Sequence, residues 1–252
     1  RIRMSLVVNH NMMAANSSRY LNTHYKALSD STRKLSSGLR VETAADDAAG
    51  LAIRELMRAD ISSLNQGVRN ANDGISLIQT ADGALGVIDE KLIRMKELAE
   101  QAATGTYDST QRLIIDSEYQ QMASEITRIA NATDFNGIKL LDGNLSSDTH
   151  NGSGMTSTGK LKVHFGTGND SAEDYYYIQI GTATAAALGV GSDNGGGAGH
   201  DISTQQHAQE ALDAINNAIV SKDNIRAHIG ALQNRLENTI TNLEVQSENL
   251  QA

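Results

Sequence analysis

Apolar residues along this chain recur at helical spacing over long stretches. From Met57 they run Met57, Ile61, Leu64, Val68, Ala71, Ile75 and Ile78. The steps alternate between four and three, the ~3.5-residue period of a helix packed lengthwise against other helices. The pattern slips at Asp82 and resumes as Leu85, Ile88, Leu92, Met95, Ala99 and Ala102. Read as one helix over residues 47–103, it predicts a rod of roughly 80 Å at about 1.5 Å per residue. Gly67, Gly74, Gly83 and Gly86 fall inside it, each costing about 1 kcal/mol relative to alanine. They point to close backbone contact or local bending, with a break near Gly83 as the alternative.

Ahead of the rod, Leu21, Leu28 and Leu35 recur at heptad spacing with Tyr25 between them. This predicts a helix that needs a partner and stops near Ser36-Ser37-Gly38. Residues 39–46 read as a connector, with Asp46 or Asp47 capping the rod. Thr104-Gly105-Thr106 ends it. A second helix starts near Asp108 or Ser109, with a seam of Ile115, Tyr119, Met122, Ile126 and Ile129, and folds back antiparallel. From Asp134 to about Ser203 the period changes. DFNGIKLLDGN holds two glycine-centred turns, LKVHF and DYYYIQI read as strands, and DNGGGAGH as a flexible tip. A last helix from about Thr204 opens with Leu212, Ile215 and Ile219 and continues through Ile225, Ile229, Leu232 and Leu236. It finishes on a rotated track through Ile240, Leu243 and Leu250, and stops in mid-pattern at Gln251-Ala252, as a truncation would.

The fold class is therefore mainly α: a long antiparallel helical bundle, coiled-coil-like, with a small β-hairpin excursion. The division follows as 1–46 for the N-terminal helix and connector, 47–141 for the first part of the rod, 142–203 for a short β/loop region, and 204–252 for the last helix.

Composition supports extended helices. Of 252 residues 39% are hydrophobic and 4% aromatic, with no tryptophan, enough for narrow seams and too little for a broad aromatic core. Proline is absent, so no helix loses an N–H donor to it. A net charge of −9 without a dense basic run argues against nucleic acid as a partner. The lack of cysteine removes disulfides, thiol catalysis and thiolate metal sites. No apolar run approaches the roughly 20 residues that cross a bilayer as a helix. The opening RIRMSLVVNHNMM has neither the apolar core nor the cleavage site of an ordinary signal peptide.

Candidate chemistry is sparse. No H-E-x-x-H pair, G-x-S-x-G elbow or phosphate-cradling loop occurs, and the seven histidines are scattered. Nothing in the residues calls for a cofactor. Asp142, Asn144, Ser146 and Asp148 alternate as in a calcium loop but lack its central glycine and closing glutamate, so they read as a polar turn. Asp46-Asp47 reads as a helix cap rather than a carboxylate dyad. On residues alone, Arg94, Lys96, Glu97 and Glu100 form a solvated face.

Several blocks resemble bacterial flagellins. LSSGLRVETAADDAAGLAI at residues 35–53 and RNANDGISLIQTADGAL at 69–85 resemble that family's N-terminal signature. RMKELAEQAATGT at 94–106, TDFNGIKLL at 133–141 and GALQNRLENTITNL at 230–243 match the rest of its framework. The resemblance implies a structural protein and not an enzyme: a secreted, extracellular filament subunit that passes the flagellar export apparatus, polymerises with other flagellin subunits and serves motility. Residues 5–36 would be an inner-layer helix, and the three longer helices a rod domain with almost no outer domains. By the same resemblance the C-terminal partner of the inner-layer helix is missing, which predicts a mobile N-terminus and weak or absent filament formation by this chain alone. Family members sensed by Toll-like receptor 5 expose a patch whose matching positions are Arg94, Leu98, Gln101, Ile115 and Glu118, with Arg235 added from the last helix. The hook–filament junction protein is the runner-up within the class. A hydrolase in residues 142–203 is the enzyme alternative, and it lacks any metal-ligand pair there.

Overall fold

A computed structural model describes residue 19 and residues 21–26, 44–192 and 196–252. Three long helices dominate: α1 (Ala44–Ala103), α2 (Ser109–Ala132) and α4 (Gln205–Gln251). Between α2 and α4 lie three two-stranded antiparallel pairs and the short helix α3 (Ala185–Leu188). β1 (Asp134–Phe135) pairs β2 (Ile138–Lys139), β3 (His150–Asn151) pairs β4 (Thr158–Gly159), and β5 (Leu161–His164) pairs β6 (Tyr175–Ile178). The mainly helical expectation holds. Of the expected N-terminal helix, residues 21–26 are helical. The rest of it, the stop at Gly38, the connector to residue 43 and residues 193–195 of the expected loop tip lie outside the described residues.

α1 begins at Ala44, three residues before the expected start, so Asp46 and Asp47 stand inside its first turn rather than at its cap. Ala44 and Ala45 are strong helix formers and extend the helix toward the N-terminus. The Asp47 carboxylate still matches the partial positive charge there.

The seam of α1 has no slip at Asp82 and no break at Gly83. Burial starts at Leu64, since Met57 is 42% exposed and Ile61 half-buried. From there a seam of buried positions runs 64, 67, 71, 74, 78, 81, 85, 88, 92, 95, 99 and 102, alternating three and four without interruption, with Leu77 and Leu98 buried beside it. Gly67, Gly74 and Ala81 complete the pattern. Val68 and Ile75, read from the sequence as seam residues, are half-buried beside it.

Close approach requires glycine at position 67 and makes position 74 tight. A β-carbon on Gly67 would lie 2.0 Å from the Phe165 carbonyl oxygen, which no side-chain movement relieves. One on Gly74 would meet Leu236, Val163 and Ile178 at 3.2–3.4 Å. Gly83 has nothing within 4 Å.

Two compact units share α1 and α4. The first holds the described residues up to Ala71 with His164–Asp174 and Asn238–Ala252. Here the Asn70 amide donates to the His164 carbonyl at 2.8 Å, and the N–H groups of Phe165 and Gly166 both donate to the Asp174 carbonyl. Arg19 lies 3.7 Å from the buried Glu248 carboxylate. Burial raises the Glu244 pKa, the nearby Glu248 adds to the effect, and Arg19 opposes it.

The second unit is Asn72–Val163 with Tyr175–Glu237. Arg112 of α2 donates to the Ala102 and Thr104 carbonyls at 2.8 and 3.0 Å, capping the end of α1. α2 itself starts with a full capping box between Asp108 and Gln111. Its buried face is Ile115, Tyr119, Ala123, Ile126 and Ala130, so the seam passes through two alanines rather than Met122 and Ile129.

α4 likewise buries Ala208, Ala211, Ile215, Ala218, Lys222, Ile229 and Leu236, while Leu212 and Ile219 are only half-buried. Lys222 is 3% exposed. Its ammonium donates to Asp89 of α1 and sits 2.6 Å from Asp223. One turn on, Arg226 Nε donates to Asp82 at 2.9 Å. Burial disfavours the Lys222 charge, but the hydrogen bonds to Asp223 and Asp89 outweigh it and its pKa is raised. A cation whose pKa rises on folding stabilises fully below the ordinary lysine value, and loses that contribution as pH climbs through the folded value.

The excursion is tied down along α2. Tyr119 Oη donates to the Gly199 carbonyl at 2.6 Å, and burial pushes the phenol's pKa well above its ordinary value. Gln120 reaches the His200 carbonyl and the Ser192 N–H, Asp116 accepts from the Ile202 N–H, and Thr127 accepts from the Ala185 N–H. The β1–β2 turn places Asn136 and Gly137 at positive φ, the two-residue hairpin that Asn-Gly favours. α3 was not expected, though Thr184 before Ala185 and the left-handed Gly189 after Leu188 are its cap signals.

Two consequences are measurable by thermal or denaturant unfolding. Gly83→Ala should stabilise by about 1 kcal/mol through helix propensity alone, whereas Gly67→Ala should destabilise despite the same gain. Asp89→Ala should cost about 2 kcal/mol, less than the ~3–5 kcal/mol of a fully buried broken pair because Asp223 still faces Lys222.

Candidate protein–protein interface

The six positions singled out from the sequence do not form one surface. Arg94 of α1 and Glu118 of α2 meet across the antiparallel hairpin. The guanidinium donates through Nε and Nη2 to a single Glu118 oxygen at 2.9 and 2.8 Å, and through Nη1 to Glu97 at 3.1 Å. These bonds, Glu118 first and Glu97 second, raise the Arg94 pKa and hold its fork in one orientation on an exposed face. Gln101, two turns along α1, is exposed and donates to the Tyr107 hydroxyl at 3.2 Å.

Leu98 and Ile115 lie beneath this face rather than on it. They are 1% and 8% exposed and belong to the helix seams. Arg235 is elsewhere. Its guanidinium stacks 3.7 Å from the centre of the Tyr176 ring. Its neighbour Leu236 packs at Gly74, about 20 residues or ~30 Å along α1 from Arg94.

Beside Glu118 the sequence reading missed an apolar surface. Leu113 and Ile114 are 58% and 68% exposed. With Thr110, Ser117, Glu118 and Gln121 they line a shallow groove of about 640 Å³. The signal was present in the Leu113-Ile114-Ile115 run, because three consecutive residues of a helix cannot share one seam. A fixed arginine fork, a carboxylate and two bare aliphatic side chains suit protein recognition.

The calcium-like run is a polar turn in the structure. Asp142 accepts from the Asn144 N–H, Ser146 donates to the Gly143 carbonyl, and Asp148 accepts from Gln179. Among the described residues no group of three His, Cys, Asp or Glu converges to hold a metal ion, and no helix is long and apolar enough to cross a membrane.

Known proteins share this architecture. The family described as bacterial flagellin N-terminal helical region matches residues 8–146, and the bacterial flagellin C-terminal helical region matches 212–252. A flagellin of Halalkalibacterium halodurans is 41% identical over 247 residues, 98% of this chain and 83% of the relative. The flagellar filament 33 kDa core protein of Treponema phagedenis is 40% identical, over 98% of this chain and 84% of its own length. Bacillus cereus flagellin, a solved structure, matches with a TM-score of 0.53 at 28% identity over 69% of this chain and 88% of its own. A Vibrio parahaemolyticus protein assigned as flagellar hook-associated has a TM-score of 0.61 over 82% of this chain and 97% of its own, and at 15% identity it shares the fold alone. The chain belongs to the bacterial flagellin family, structural subunits of the flagellar filament rather than enzymes.

Proposed function

We propose that this protein leaves the cell through the flagellar export apparatus, polymerises by lateral helix contacts into the filament that propels the bacterium, and as a monomer is bound by Toll-like receptor 5 of a host. The observation that carries the recognition half is the Arg94–Glu118 fork on an exposed hairpin face beside Leu113 and Ile114. The same exposed apolar pair supports the polymerisation half, because such side chains gain about 25 cal/mol per Å² when a neighbouring subunit covers them. One face would serve both contacts, so filament assembly and receptor binding would exclude each other. The junction-protein alternative has only a fold-level likeness behind it.

Two substitutions separate the halves. Arg94→Ala should weaken binding to purified receptor ectodomain by about 1 kcal/mol or more, read by titration calorimetry, and unchanged affinity would remove the recognition claim. Ile114→Asp should lower incorporation onto flagellar fragment seeds, read by sedimentation, with the melting temperature held, because Ile114 contributes surface rather than core.

A further inference from the structure

Asn151 ends β3 and Gly152 opens the exposed loop that leads to β4. Three groups converge on this dipeptide. The His150 Nδ1 lies 2.7 Å from the Lys160 carbonyl oxygen. A carbonyl can only accept, so Nδ1 carries the hydrogen, and in the neutral ring the lone pair belongs to Nε2. That Nε2 is 3.1 Å from where a β-carbon on Gly152 would sit, on the side of the glycine that a side chain would take. The ring is steadied by Tyr177, with centroids 5.4 Å apart. On the other side, the Ser153 N–H and hydroxyl both donate to the Asn151 Oδ1, at 3.1 and 2.7 Å.

We propose that Asn151-Gly152 is a self-modifying site that converts Asn151 to aspartate and isoaspartate. The Gly152 amide nitrogen is the nucleophile, the Asn151 Cγ is the electrophile, and His150 Nε2 is the base. As the new N–C bond forms, the Gly152 proton passes to Nε2. The negative charge that develops on the Asn151 Oδ1 is met by the two Ser153 donors, the arrangement of an oxyanion hole. Collapse breaks the Asn151 Cγ–Nδ2 bond, and the departing nitrogen takes the proton back from the imidazolium and leaves as ammonia. The product is a succinimide ring. Water then opens it at either carbonyl, giving aspartate or isoaspartate, each with one more negative charge than asparagine. No electrons are exchanged, and water is the only co-reactant.

The molecule holds its own control. Asn136-Gly137 has the same sequence, but the Gly137 N–H is held by the Asp134 carboxylate at 3.0 Å. Nothing stands within 4 Å of the β-carbon position there. A carboxylate is also a weaker base than imidazole. Asn136 should therefore persist where Asn151 does not.

The test is peptide mapping with isoaspartyl quantification, on the whole protein incubated at near-neutral pH. Asn151 should convert faster than Asn136 by on the order of tenfold or more. His150→Phe, which keeps the ring against Tyr177 and removes the base, and Ser153→Ala, which removes one donor, should each slow Asn151 and leave Asn136 unchanged. Circular dichroism checks that both variants fold. Equal rates at the two asparagines, or a rate at Asn151 that neither substitution lowers, would overturn the proposal.

Discussion

The structure depends on how closely other backbone and side-chain groups can approach one edge of α1. Along that edge two heptad series interleave. One carries Leu64, Ala71, Ile78, Leu85, Leu92 and Ala99, and the other Gly67, Gly74, Ala81, Ile88, Met95 and Ala102, all buried. The second series begins with the smallest side chains, Gly67, Gly74 and Ala81, before Ile88 and Met95. At its small end the Phe165 carbonyl oxygen occupies space a β-carbon would need, and Val163, Ile178 and Leu236 close on Gly74. Toward Ala102 ordinary aliphatic packing takes over, and α2 replaces the strands as a neighbour. Small residues at one end of this edge thus leave room for close approach by neighbouring backbone and side chains.

Polar groups set register where the apolar seam alone leaves it open. Two antiparallel helices with regular heptads can slide by seven residues and still match. Asp82 and Asp89 on α1 face Arg226 and Lys222 on α4, and because these aspartates are seven residues apart, a slide of one heptad in either direction would leave one of the two cations without its α1 carboxylate. The excursion is fixed differently, by backbone carbonyls and N–H groups that bond Tyr119, Gln120, Asp116 and Thr127 of α2. Its core of Leu140, Leu141, Leu145, Val163, Ile178 and Ile180 is short, and these long-range bonds hold a segment that few apolar residues can hold alone.

The helices and their ends were legible from sequence because periodicity, Asp108 with Gln111, and the Thr104-Gly105 turn are local signals. The inner half of the seam was not. A search for Leu, Ile, Val and Met passes over Gly67, Gly74 and Ala81, and the pattern then shows a slip at Asp82 that the structure lacks. The same habit hides Ala123, Ala130, Ala208, Ala211 and Ala218, and it excludes Lys222, whose burial depends on an aspartate 133 residues away. At the interface, Arg94, Gln101 and Glu118 are accessible. Leu98 and Ile115 are buried, and Arg235 faces Tyr176, because a heptad gives the side of one helix and not which partner covers it. Leu113 and Ile114 are the reverse case, apolar residues that their own fold leaves uncovered.

The central structural feature is that α1 is one helix with an unbroken seam. The most direct test is residue-resolved amide hydrogen exchange across α1. An uninterrupted helix predicts that amides around Gly83 and Gly86 exchange as slowly as those at Ile78 and Leu92, in one cooperative unit. Fast exchange confined to residues 82–87, with protection on both sides, would mean two helices joined at a hinge and would contradict the continuous seam.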